Sequence, residues 1–133
     1  MALVTKSASP SGDAGTLAFA PQVSGLIAGE DLEAVSPCYI KTSDGKVYMS
    51  NGTAATEPAE FVGFTPVARK ATQPVTLFGV GARFNYYSTG LLPGDKLYIG
   101  ATSGRLDTAA TTGDAVGVAQ AITATDIRVT RNI

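Results

Sequence analysis

Two stretches of this chain are variations on one another, and that duplication constrains the fold more than any other feature. Ser24-Gly25-Leu26-Ile27-Ala28-Gly29-Glu30 reads like Thr89-Gly90-Leu91-Leu92-Pro93-Gly94-Asp95. Tyr39-Ile40 and Gly45-Lys46-Val47 return as Tyr98-Ile99 and Gly104-Arg105-Leu106. Val62-Gly63-Phe64 matches Val116-Gly117-Val118, and Val75-Thr76-Leu77 matches Ile127-Arg128-Val129. The first copy carries extra residues in DLEAVSP, 31–37, and in the loop NGTAATEP, 51–58.

Each copy is written in β signals. PCYIKT is a short strand, SDG a turn in which Gly45 is free to take positive φ, and KVYMS the return strand of a hairpin. EFVGFTPVA and QPVTLFGVGARFNYY are rich in β-branched and aromatic residues. The second copy repeats the plan through KLYIG, ATSG, RLDTA, AVGVAQAI and IRVTRNI. GEDLEAVS holds at most one turn of helix. A lone three-strand unit cannot cover its own apolar face, so two such units are expected to pair. The expected fold is all-β: a small barrel or sandwich built from two similar units, about 24–78 and 89–131, within a domain spanning 23–133. Ile40, Val62, Ile99, Val116 and Val129 are expected to point inward. Residues 1–22, rich in Ala, Ser, Gly and Pro, are expected to form a flexible or extended N-terminal arm carrying Leu3, Val4, Leu17 and Phe19 as apolar beads.

Composition narrows the chemistry. There is no histidine among the 133 residues, which removes Ser-His-Asp and Cys-His arrangements and histidine metal sites. The single cysteine, Cys38, sits in a strand pattern and reads as a buried thiol. Ten Lys plus Arg against 11 Asp plus Glu leave no basic stripe for nucleic acid. No apolar run approaches the roughly 20 residues of a membrane helix. The start, MALVTKSASPSG, lacks the apolar centre of a signal peptide, so synthesis in a cytoplasm is expected. Glu30, Asp31 and Asp95 read as turn residues, and Glu57 and Glu60 as solvated loop carboxylates. No enzyme activity, cofactor or metal is expected. Arg83, Phe84, Tyr86 and Tyr87 are residue types that anchor interfaces. Alternation puts Phe84 and Tyr86 on one face of a strand, Arg83 and Tyr87 on the other.

The series AGED…CYIKTSDGKVYMS…EFVGF, followed by LPGDKLYIGATSGRLDTA…DAVGVA, resembles the capsid decoration, or cement, proteins of tailed bacteriophages. The likeness covers roughly residues 24–131. It implies a β module that sits on the outer surface of an assembled head, often as a homotrimer, and bridges major capsid protein subunits. It implies a virion location after synthesis in the host bacterial cytoplasm. It also implies docking through an extended terminal arm, which makes Leu3, Val4, Leu17 and Phe19 the capsid-contact candidates. The rival expectation is a tail- or fibre-associated module that binds glycan through Tyr39, Tyr48, Tyr86, Tyr87 or Tyr98.

Overall fold

The computed structural model describes residues 3–8, 22–87 and 89–131. These residues form ten β-strands in two five-stranded antiparallel sheets. In chain order the first five are β1 (Gln22–Ile27), β2 (Pro37–Ile40), β3 (Val47–Met49), β4 (Gly63–Phe64) and β5 (Pro74–Phe78). The second five are β6 (Arg83–Asn85), β7 (Lys96–Ile99), β8 (Leu106–Asp107), β9 (Ala119–Ala121) and β10 (Asp126–Val129). The sheet orders are β1-β5-β4-β2-β3 and β6-β10-β9-β7-β8. Renumbered within each unit, these are the same order. The duplication is therefore a whole five-stranded unit, longer at each front end than the sequence match indicates.

The hairpins carry the match most faithfully. Tyr39 pairs with Tyr48 and Ile40 with Val47; Tyr98 pairs with Asp107 and Ile99 with Leu106. Gly45 and Gly104 take φ of 69° and 74° at the same point of the two turns, where a β-carbon is disfavoured. The Val-Gly match is different. Val62 N donates to Cys38 O and Val118 N to Leu97 O, so Val62 is the structural counterpart of Val118. Val116 is instead 64% exposed, against the inward placement expected for it. Asp114 Oδ1 accepts from the amides of Val116 and Gly117, which holds that segment in a loop. Ile99 and Val129 are fully buried, while Ile40 and Val62 are half-buried. GEDLEAVS forms no helix; a turn of 3-10 helix lies at Glu57–Ala59.

The apolar interior is divided. Ala28, Leu32, Cys38, Val47, Val75 and Leu77 form a cluster supplied wholly by the first unit. The larger cluster belongs mainly to the second unit, through Phe84, Leu97, Ile99, Leu106, Ile127 and Val129, and takes Val35, Phe61 and Phe64 from the first. Phe64 and Phe84 meet across the units with ring centroids 5.7 Å apart.

The outer strands of the first sheet touch at one parallel bridge, Ala28 with Val47. In the second unit the corresponding gap is crossed by residues 3–7. Leu3 bridges Asp107, Val4 N donates to Leu106 O (2.8 Å), and Ser7 N donates to Tyr86 O (2.9 Å). The N-terminal segment, expected to be an arm separate from the domain, is over these residues a strap laid across the second sheet.

Candidate functional site

The strap carries a buried polar node. Val4 enters the larger apolar cluster, so two residues later the chain must place Lys6 below the surface too. Lys6 is 8% exposed. Its ammonium donates to Ser36 Oγ (2.7 Å), Glu33 Oε1 (3.1 Å) and Ala34 O (3.2 Å) and lies 5.6 Å from the Tyr86 ring centroid. Glu33 Oε2 accepts from Arg105 Nη2 at 3.1 Å. One carboxylate thus joins the strap, the inserted segment 31–36 and the β7–β8 turn. Burial pulls the Lys6 ammonium down to about 8, against the opposing pull of Glu33. Burial pushes Tyr86 up to about 12; its hydroxyl accepts from Leu106 N at 3.0 Å.

The interface residues divide as their alternation requires. Phe84 and Tyr86 are fully buried, which removes both from any contact with another protein. Arg83 is half-buried and chelates Asp126, with Nη2 2.9 Å and Nε 3.0 Å from Oδ2. Burial opposes the Asp126 charge, but hydrogen bonds from Asn85, Thr125 and Arg83 outweigh it and hold the carboxyl below its ordinary range. Arg83 and Phe84 pair with β10, and Tyr87 lies half-buried on the wall of a groove. The arm candidates divide as well. Leu3 is 47% exposed, Val4 is core, and Leu17 and Phe19 lie outside the described residues.

The groove, of about 300 Å³, runs beside the strap between Leu3, Tyr87, Leu91, Leu92, Asp95 and Thr108. With Leu92 66% exposed and Leu3 half out of the surface, it is an apolar trough with a carboxylate on its wall. Asp95 is the one charged side chain among its described lining residues. A second trough, of about 380 Å³, is lined by Tyr39, Tyr48, Asn51, Thr53 and Ser103. Tyr39 is buried, and the Tyr48 hydroxyl donates to Asp44 Oδ2 at 2.6 Å. Among the described residues no group of three or more His, Cys, Asp or Glu is placed to hold a metal ion, and no helix is long and apolar enough to cross a membrane. Cys38 is buried, and burial pushes its thiol well above the ordinary range, which leaves it inert.

Lys6 is the residue that sequence reasoning missed. A lysine among Ala, Ser and Pro reads as solvated; the signal that marks it is its spacing of two from Val4. Comparison with protein-family models and with curated protein sequences returns no match.

Proposed function

We propose that this chain is a structural virion protein that docks on the outer surface of a phage head and bridges neighbouring major capsid protein subunits. One observation carries the reading: the hairpin residues that resemble the decoration proteins, Tyr39 to Val47 and Tyr98 to Leu106, occupy equivalent places in two β units that pack on one another. Such a body is a stiff spacer. Backbone hydrogen bonds tie the units directly, Gly104 N to Ser50 O and Gly52 N to Gly100 O, and the Phe64–Phe84 contact fills the space between them. A clamp on a strained shell needs stiffness and several weak contacts. Linking copies makes later contacts intramolecular and raises avidity by about 10²–10⁴ without new interactions. Leu3, Leu92 and Tyr87 around the groove are the apolar surface offered to the capsid, replacing Val4, Phe84 and Tyr86 as candidates.

The test is to add purified protein to undecorated heads, measure co-sedimentation, and follow thermal rupture. Saturable binding with a raised rupture temperature is expected. Absence of binding together with an unchanged rupture temperature overturns the reading.

A further inference from the structure

The two units close in different ways. Val47 and Leu106 stand at the same place in the two hairpins, paired with Ile40 and Ile99. In the first unit Val47 O accepts from Gly29 N (2.9 Å), just past the end of β1. In the second, the chain leaving β6 goes elsewhere: the amides of Tyr86 and Tyr87 both donate to Thr125 O (3.0 and 3.1 Å). Leu106 O accepts instead from Val4 N (2.8 Å), and the strap runs on to Tyr86. The second unit is therefore completed by a segment that the whole first unit separates from it in sequence.

The receiving slot is held by residues outside the strap. Thr65 Oγ1 donates to Glu33 O (2.6 Å) and accepts from Ser36 N (3.0 Å), and Val35 N donates to Thr65 O (2.8 Å). These bonds fix the segment that supplies the acceptors of the Lys6 ammonium. Tyr86 Oη accepts from Leu106 N and holds the other wall. The slot is also selective. It takes an apolar side chain, Val4, and two residues later an ammonium that meets three oxygens.

The strap of another copy carries the same side chains and makes the same contacts, which is the condition for exchanging an element between copies. Reach does not prevent it. The 13 residues 9–21 extend to about 45 Å. A compact domain of 133 residues has a radius of gyration of about 14 Å, hence a diameter of about 36 Å. A tether of this kind gives a chain's own strap a local concentration in the millimolar range. Copies at that concentration, or held side by side, compete for the slot on similar terms.

We propose that the slot between Leu106, Tyr86 and the segment 33–36 is a docking site for the strap of a second copy, so that neighbouring chains are joined by exchange of residues 3–8. The proposal does not rest on the capsid reading, and it is tested without capsids.

Two full-length variants remove the competition from the tether. Lys6→Glu sets a carboxylate against Glu33, and Glu33→Lys sets an ammonium against Lys6 and beside Arg105. Neither variant can seat a strap of its own kind, within a chain or between copies. Mixed, the Lys6 strap of one meets the native Glu33 of the other, and the second pair has its signs reversed. At about 1 mM, sedimentation velocity should show a one-to-one pair in the mixture and monomers of each variant alone. The mixture should melt at least about 4 °C above either variant. Wild type gives a second readout. Lys6 Nζ and Glu33 Oε1 are 3.1 Å apart, and a carbodiimide, which activates the half-exposed carboxylate, joins them as an amide. Isotopically light and heavy chains incubated together at about 1 mM should give mixed light–heavy Lys6–Glu33 cross-links, and dilute chains only same-label ones. If either variant does not fold, the labelled wild type decides alone. A mixture that stays monomeric and low-melting, or only same-label cross-links at about 1 mM, overturns the proposal.

Discussion

The Lys6 ammonium stands 3.1 Å from Glu33 Oε1 and is almost wholly enclosed, while the carboxylate it meets is half in solvent. The two partners are therefore not equivalent under mutation. Removing Glu33 leaves a buried ammonium without its counter-charge, and frees Arg105 as well. Removing the charge itself, by Lys6→Met, retains much of the packing and leaves only Ser36 Oγ and Ala34 O short of a donor. Glu33→Ala should cost about 1–3 kcal/mol, and Lys6→Met less. Urea titration of both variants checks the order; the reverse order would show that the ammonium is not confined.

The same burial sets a pH signature. The folded-state pKa of Lys6 is about 8, and its ordinary value is 10.5. Between these values the unfolded chain holds a proton that the folded chain has shed, so Lys6 makes stability rise with pH from about 8 to 10.5. Two buried acids act in the opposite sense. Burial raises Cys38 above its ordinary 9.0, and Tyr86 from 10.0 to about 12, so each lowers stability as pH climbs past its ordinary value. Burial, the largest cause of both shifts, is common to wild type and Lys6→Met and cancels in the difference. The unfolding free energy of wild type minus that of Lys6→Met should rise between pH 8 and 10.5. A flat difference would place Lys6 in solvent.

Deleting residues 1–8 removes Val4 from the core, two backbone hydrogen bonds to the second sheet and the Lys6 node. The apolar burial and hydrogen bonds together are worth about 3–5 kcal/mol. The truncated chain should melt well below wild type, while Leu3→Ser, at a half-exposed position, should change little. Equal melting of truncated and full-length chains would return this segment to the status of a free arm.

What was legible in the residues, and what was not, follows from range. The hairpins were legible because alternation and a left-handed glycine are both local. Gly45 and Gly104 mark the same turn in both copies, and the pairing of Ile40 with Val47 and Ile99 with Leu106 follows from it. The Val-Gly match misled because a two-residue shift keeps side chains on the same face: Val118, not Val116, bonds as Val62 does. The strap was illegible because its pairing partners, Tyr86 and Leu106, lie some eighty to a hundred positions away, and nothing near Lys6 announces Glu33. The front of the repeat was misaligned: Ser24–Ile27 of β1 matches 89–92 in residues, whereas its topological counterpart is β6, Arg83–Asn85, which shares topology without sharing residues.

Gly45 and Gly104 make a matched pair for measuring the contact between units. Both have positive φ, so an alanine costs about 1–2 kcal/mol at each for backbone reasons alone. At Gly45 the methyl enters open space, whereas at Gly104 it meets Met49 Sδ and Ser36 Oγ. Gly104→Ala should therefore be the more destabilising by at least about 1 kcal/mol, the low end for overpacking. Denaturant titration of both variants reads the difference as the closeness of the docked turn. Equal losses would mean that the turn does not seat there.

Thr72 offers the opposite sign. It is exposed and holds φ of 77°, a left-handed conformation that a β-branched residue adopts only under strain. Its amide donates to Ala28 O at 2.8 Å, and Gln73 O accepts from Ala28 N at 2.9 Å, so the turn into β5 is held from both sides. Asparagine tolerates this region, and at an exposed position nothing else is lost. Thr72→Asn should stabilise the protein by about 1 kcal/mol, the lower end of what a strained backbone position stores. For a domain of this size that raises the melting temperature by about 4 °C, readable by scanning calorimetry. A lowered melting temperature would mean that the threonine side chain contributes more at that turn than its backbone strain removes.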